Sequence, residues 1–243
     1  MDPRYERQTI AIEDRHWWYR GRRRIVHDAV AALALPGDSR ILDAGCGSGR
    51  NLELLSCFGK VTGLEPSGAS LQVARRRGVG EVVEGSIEAI PLEDDSFELA
   101  TTLDVIEHVD DHAALVELRR VVRRGGFLLV TVPAYPLLWG PHDEANHHRR
   151  RYTGASLVQA ATATGWRPLR TTHFNCLLLP GAAAVRLLAR SRRVAAVGTS
   201  DFDTTPAWLN GLLERPLRAE AALLRTGRRL PVGLSLMALL RRG

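Results

Sequence analysis

Residues 41–51 read ILDAGCGSGRN: an apolar run closing on Asp43, then glycines at 45, 47 and 49. Alternate glycines leave a loop almost bare of side chains, so a ligand can lie directly against its backbone. A dinucleotide fingerprint, G-x-G-x-x-G, needs glycine where Arg50 stands, and a phosphate-cradling G-x-x-x-x-G-K-[ST] loop needs a lysine that this stretch lacks. Asp43 also argues against a pyrophosphate, because like charges repel strongly in a poorly hydrated site. The loop therefore suits a cationic, phosphate-free ligand. Glu65, 22 residues beyond Asp43, closes the next apolar run, where a carboxylate can accept both hydroxyls of a ribose.

A ribose, a cationic group and no phosphate together describe S-adenosylmethionine. Two later stretches fit around it. Ser86, Ile87 and Glu88 follow a third apolar run and are expected at the adenine edge. Leu103, Asp104 and Val105 follow a fourth and are expected to cover the ligand's other side. Beyond a fifth run, AYPLLWGPHDEANHHRRRYT is dense in titratable groups. His142 or His147 is the candidate general base, since imidazole titrates near neutrality, with Tyr152 beside them. The arginines 149–151 could hold an anionic acceptor through paired hydrogen bonds, or ion-pair within a solvated loop. Helical H-x-x-x-H spacing is absent from this stretch, and no metal is expected.

The elements that must position these residues follow from apolar periodicity. Strands are predicted at 40–44, 60–64, 81–84, 97–103, 126–132 and 167–173, with helices from about 48, at 68–77, 111–123 and 155–164. Strands alternating with helices at this spacing call for a mostly parallel sheet covered on both faces. Ligands in such sheets sit beyond the carboxyl ends of the strands, where the glycine loop lies.

In order and spacing, ILDAGCGSGRN, VTGLEPS, SIEAIPLEDDSFELA, LDVIEHVDD and LRRVVRRGGFLLVTVP resemble the class I S-adenosylmethionine-dependent methyltransferases. More narrowly they are similar to the small-molecule enzymes of ubiquinone and menaquinone biosynthesis. The resemblance covers about residues 17–175. It implies an α/β fold, a Rossmann-like three-layer sandwich whose seven-stranded, mostly parallel sheet has an antiparallel last strand at 233–240. It implies a cofactor-covering N-terminal helix (1–30), a cofactor-binding domain (31–176), a helical insertion (177–230) and the last strand (231–243). Cofactor contacts would come from Tyr19, Arg20, Asp43, Gly45, Cys46, Gly47, Gly49, Glu65, Pro66, Ser86, Ile87, Glu88, Leu103, Asp104, Val105 and His108. Tyr19 or Trp18 would pack on the sulfonium, Arg20 would bind the methionine carboxylate, and Trp17 reads as a core anchor. The family commonly has aspartate where Ser86 stands, so weaker adenine binding is expected. The implied reaction is methyl transfer to a small-molecule acceptor. A binder of the same cofactor with another or a regulatory role stays open, as does an RNA or protein methyltransferase.

Composition narrows the partners. The chain has 243 residues and a formal charge of +6, unevenly spread. Residues 1–24 hold 7 arginines against 4 acids, residues 177–243 hold 11 against 4, and the middle is mildly acidic. No run of about 18 uncharged apolar residues exists to span a bilayer, and the first residues lack the apolar core of a signal peptide. A cytoplasmic location is expected. Asp104-Val-Ile-Glu107 stands where DNA amino-methylating enzymes of this fold carry [DN]-P-P-[YF], so DNA is not an expected substrate. The basic amphipathic insertion 177–230 fits either the inner face of an anionic membrane, or a helical pair packed on the domain or in a homodimer contact.

Overall fold

The computed structural model describes residues 3–181 and 205–243. A seven-stranded sheet forms its centre, in the order β3-β2-β1-β4-β5-β7-β6. Its strands are β1 (Arg40–Ala44), β2 (Lys60–Glu65), β3 (Glu81–Glu84), β4 (Phe97–Leu103), β5 (Val122–Pro133), β6 (Trp166–Phe174) and β7 (Ser235–Arg242). The first five run parallel, and β7 enters antiparallel between β5 and β6. The expected seventh strand is therefore present, two residues further along. Central β1 and β4 are buried on both faces, because helices cover both.

The helices are α1 (Pro3–Ile12), α2 (Trp17–Ala31), α3 (Arg50–Leu55), α4 (Gly68–Arg77), α5 (Asp111–Val121), α6 (Pro141–Ala145), α7 (Gly154–Ala163) and α8 (Ala207–Arg225). Their ends are written locally. Asp110 accepts from the Ala113 N–H to start α5, Thr153 and Ser156 form a capping box on α7, and Gly78 stops α4 in the left-handed region. The single N-terminal helix expected for residues 1–30 is two helices, broken after Ile12 and restarted by His16, whose Nδ1 accepts from the Trp18 N–H.

Two apolar clusters flank the sheet. One packs α5 and α7 on β4, β5 and β7, with Trp166 and Phe97 at its heart. The other packs α2, α3 and α8 on the opposite face, joining Ile25, Val26, Leu52, Phe174, Leu217 and Leu224. Of the expected 177–230 insertion, residues 182–204 lie outside the described residues. The remainder is fixed to the sheet: α8 crosses α2 at Gly21, where an added Cβ would lie 2.3 Å from Leu217 Cδ1. Glu220 of α8 accepts from the backbone N–H groups of Asn175, Cys176 and Leu177, holding the exit of β6. Trp208 and Leu212 on α8 stay exposed. No helix among the described residues is long and apolar enough to cross a membrane.

Candidate active site

A cavity of about 920 Å³ opens beyond the carboxyl ends of β1, β2, β4 and β5. That lies at the upper end of the ~300–1,000 Å³ usual for small-molecule sites. The strand order sets its layout. The glycine loop after β1 and Glu65 at the tip of β2 line one end. His108, His142, Asn146 and His148, from the segments after β4 and β5, line the other.

The glycine-loop end is bare for a steric reason. Gly45 sits at φ +80°, and a Cβ there would lie 2.5 Å from Val105 Cγ2. The loop folds back so that the Gly45 and Cys46 N–H groups donate to Leu64 O. The Glu65 carboxylate accepts from the Gly47 N–H at 2.8 Å and the Ser67 N–H at 3.0 Å. Burial raises its pKa above the usual range, opposed by these two donors. The result is an anchored carboxylate on the cavity wall, with lone pairs left for hydroxyl donors. Glu65 presents its carboxylate here, and Arg50, which also lines this end, is paired with Asp14 and Glu53. Residues and ligand therefore match, and Gly45, Cys46, Gly47, Glu65 and Pro66 are the groups that would hold S-adenosylmethionine here.

Helix α1 closes over this end. Glu13 accepts from Ser48 Oγ and pairs with Arg77 at 2.6 Å. Glu6 accepts from Ser67 Oγ at 2.5 Å and from the Ser70 N–H at 3.1 Å, so it supplies an acidic cap to the start of α4 from another helix. Sequence reasoning named neither glutamate. These are long-range contacts without a local signature.

Several expected residues stand elsewhere. Asp43 is only 1% exposed and lies behind the cavity wall; its Oδ1 accepts from Thr101 Oγ1 at 2.6 Å, and burial pushes its pKa up to about 6. It stiffens the loop from beneath and does not face the ligand. Arg20 points away and pairs with Glu214 of α8 at 3.1 Å. Arg22, two residues on, does line the cavity, as does Arg23; Arg22 is ion-paired with Asp104 and lies 5.6 Å from the Tyr19 ring centroid. Tyr19 and Arg22, three residues apart, share a helix face; that spacing was the signal available. Trp18, also on the wall, stacks on Phe174 with centroids 5.7 Å apart. Leu103, Asp104, Val105 and His108 line the cavity as expected. Gly49, Ser86, Ile87 and Glu88 do not: Gly49 starts α3, Ile87 is core, and Glu88 accepts from the Asp110 N–H at 2.9 Å.

The acceptor end is built by the loop between Pro133 and Thr153. Tyr152 N–H donates to Pro133 O and Tyr135 N–H to Tyr152 O, which closes the loop at its base. Asp143 is its internal anchor. It accepts from the Gly140 N–H, from His148 Nδ1 at 2.8 Å and from Arg151 Nε at 2.7 Å. Burial alone would raise its carboxyl; the His148 and Arg151 hydrogen bonds outweigh that and hold it well below the usual range. Arg149 N–H donates to Glu107 O, which swings His148 against His108, ring centroids 4.7 Å apart.

Two of the three expected catalytic residues are displaced. His147 is exposed, turned outward by a left-handed backbone at φ +55°. Tyr152 is buried in the core, its hydroxyl donating to Asp111 Oδ2 at 2.8 Å, off the cavity wall. His142 does line the cavity, its Nε2 held 3.2 Å from Asn146 Nδ2. The imidazole with the most defined setting is His148: Asp143 fixes Nδ1 as the donor, leaving Nε2 as the ring's second site. Burial lowers the pKa of His108 to about 4, so that ring stays uncharged.

Comparison with known proteins agrees with this fold. A family model described as a methyltransferase domain matches residues 42–130, from β1 to β5. The chain is 31% identical over 201 residues to the ubiquinone biosynthesis O-methyltransferase of Methylocella silvestris, covering 80% of this chain and 69% of that one. It is 32% identical over 214 residues to an uncharacterised 37.1 kDa transposon protein of Streptomyces fradiae, covering 78% of this chain but only 62% of that protein's length. A geranyl diphosphate methyltransferase solved with S-adenosylmethionine shares the fold, with TM-score 0.61 and 16% identity, covering 100% of this chain and 92% of the other. The protein belongs to the S-adenosylmethionine-dependent methyltransferases.

Proposed function

We propose that the protein methylates an oxygen of a small hydroxylated acceptor held at the histidine-lined end of the cavity. The observation that carries this reading is the His108–His148 pair: two ring nitrogens, one fixed by Asp143, at the end of the cavity away from Glu65. An imidazole of that kind accepts the proton of a hydroxyl as oxygen attacks carbon. The name of the Methylocella silvestris relative, an O-methyltransferase, points the same way.

Bound S-adenosylmethionine supplies an electrophilic methyl group with sulfur as the leaving atom. The chain's own task is alignment. Glu65 and the glycine loop fix the nucleoside half. Tyr19, lying beside Arg22 on the cavity-facing side of α2, offers an aromatic face to a cation, an interaction of about 0.5–2 kcal/mol. Helix α1 and the 134–152 loop exclude water from two sides. Alignment of reactants can supply ~7–11 kcal/mol of a barrier.

A screen of phenols, sugars, quinols and lipid-linked glycans with radiolabelled S-adenosylmethionine tests the reading. Transfer of label to a phenol or alcohol, giving a base-stable ether, is the expected result. Label found only on nitrogen, on RNA or on protein substrates would refute it.

A further inference from the structure

Glu107 is the least satisfied charged group on the cavity wall. It is 1% exposed, and neither carboxylate oxygen has a hydrogen-bond partner. Leaving a buried carboxylate without a partner is expensive, so such a group is ordinarily paired, protonated or bound to a cation. Two neighbours look set for the third state. The ligating atoms of Glu107, His108 and His148 all lie within 4.8 Å of one another. Some point therefore sits within about 2.8 Å of all three, and side-chain rotations of under ~1 Å reach the ~2.0–2.2 Å of real metal–ligand bonds. His148 is oriented from behind: its Nδ1–H donates to Asp143, the carboxylate–histidine support that fixes a ligating ring and frees Nε2. No local motif marks this set, because Glu107 and His108 follow β4 while His148 comes 40 residues later.

We infer that Glu107, His108 and His148 bind one divalent transition-metal cation at the acceptor end of the cavity. Two imidazoles and one carboxylate suit Zn²⁺, Fe²⁺, Co²⁺ or Mn²⁺ and leave positions open for a substrate oxygen. This deepens the proposed reading, on which its chemical use rests. Cation binding takes up the imidazole lone pairs, so in the loaded protein the cation replaces the imidazole as the means of ionising the acceptor hydroxyl, and the proton passes to water. The oxygen lone pair forms the O–CH₃ bond, and the C–S pair returns to sulfur as a neutral thioether. A chelating acceptor with adjacent oxygens would occupy both open positions.

Cation binding is measured on the full-length protein without S-adenosylmethionine or acceptor, so it does not depend on the transfer reaction. After treatment with a chelator and its removal, the protein is titrated with Co²⁺ and followed by visible absorption and equilibrium dialysis. One saturable Co²⁺ per chain is expected, with hyperfine-shifted imidazole N–H proton signals. Glu107→Gln and His148→Ala should each weaken binding at least tenfold while circular dichroism and calorimetric binding of S-adenosylmethionine stay as in the wild type. No saturable site in the wild type, absence of shifted imidazole signals, or unchanged affinity in both folded variants would overturn the inference. A cation-free protein that still transfers methyl groups to hydroxyls would overturn the cation's part in the transfer and leave the proposed function standing.

Discussion

Replacing Glu65 by glutamine tests the cofactor end with almost no change of shape. The carboxylate now accepts from the Gly47 and Ser67 N–H groups, one on each oxygen. An amide keeps one acceptor oxygen but turns a donor toward the other backbone N–H. One buried hydrogen bond is lost and two donors face each other, which costs about 1–3 kcal/mol of folding stability. For a chain of this size that corresponds to a melting-point drop of roughly 2–12 °C. Binding suffers separately. Hydrogen bonds from ribose hydroxyls to a charged acceptor contribute about 1.5–3 kcal/mol each, so losing one raises Kd by roughly 10–150-fold. Calorimetric titration with S-adenosylhomocysteine reads the second effect and scanning fluorimetry the first. A variant that melts lower but binds within twofold of wild type would show that Glu65 only braces the loop and does not hold the nucleoside.

Tyr152→Phe should lower stability by about 1–2 kcal/mol through the lost bond to Asp111, yet leave turnover within about threefold, as read by denaturant unfolding and labelled methyl transfer. A large loss of turnover in the folded variant would restore Tyr152 to the chemistry. Asp43 carries a pH signature. Its folded pKa of about 6 lies above the ordinary 3.8, so the native state holds the proton longer. The resulting stability is full below pH 3.8 and is lost as pH rises through 6. Asp43→Asn, which cannot ionise, should gain in melting temperature relative to wild type between about pH 4 and pH 7; a difference constant across that range would contradict the burial argument. Gly21→Leu should destabilise by at least ~1–3 kcal/mol through overpacking on Leu217 of α8; a neutral effect in chemical denaturation would mean that α8 does not sit on α2.

The sheet was legible because its signals are local. Short apolar runs, Gly78 and the bare loop at 45–49 each fix a turn or an end without help from distant residues, and so β1, β2 and the Glu65 position follow from spacing alone. The last strand came from resemblance, and it falls two residues later than expected. Legibility failed where side-chain direction depends on helical phase or on packing. Arg20 and Arg22 are chemically identical, and only the contact of α2 with α8 decides that Arg20 meets Glu214 while Arg22 meets Asp104. His147 and His148 are adjacent, and one left-handed residue sends the first outward and leaves the second on Asp143. Glu6, Glu13 and Glu107 gain their settings from elements 35 to 64 residues away or from burial itself, which no motif records.

The central claim is that the pocket beside β1 and β2 takes a sulfonium nucleoside and no pyrophosphate-linked one. Parallel calorimetric titration of the intact protein with S-adenosylmethionine and NADH tests it most directly. Saturable heat with S-adenosylmethionine, abolished by Gly45→Val, and none with NADH is the predicted result. Heat with NADH and silence with S-adenosylmethionine would contradict it.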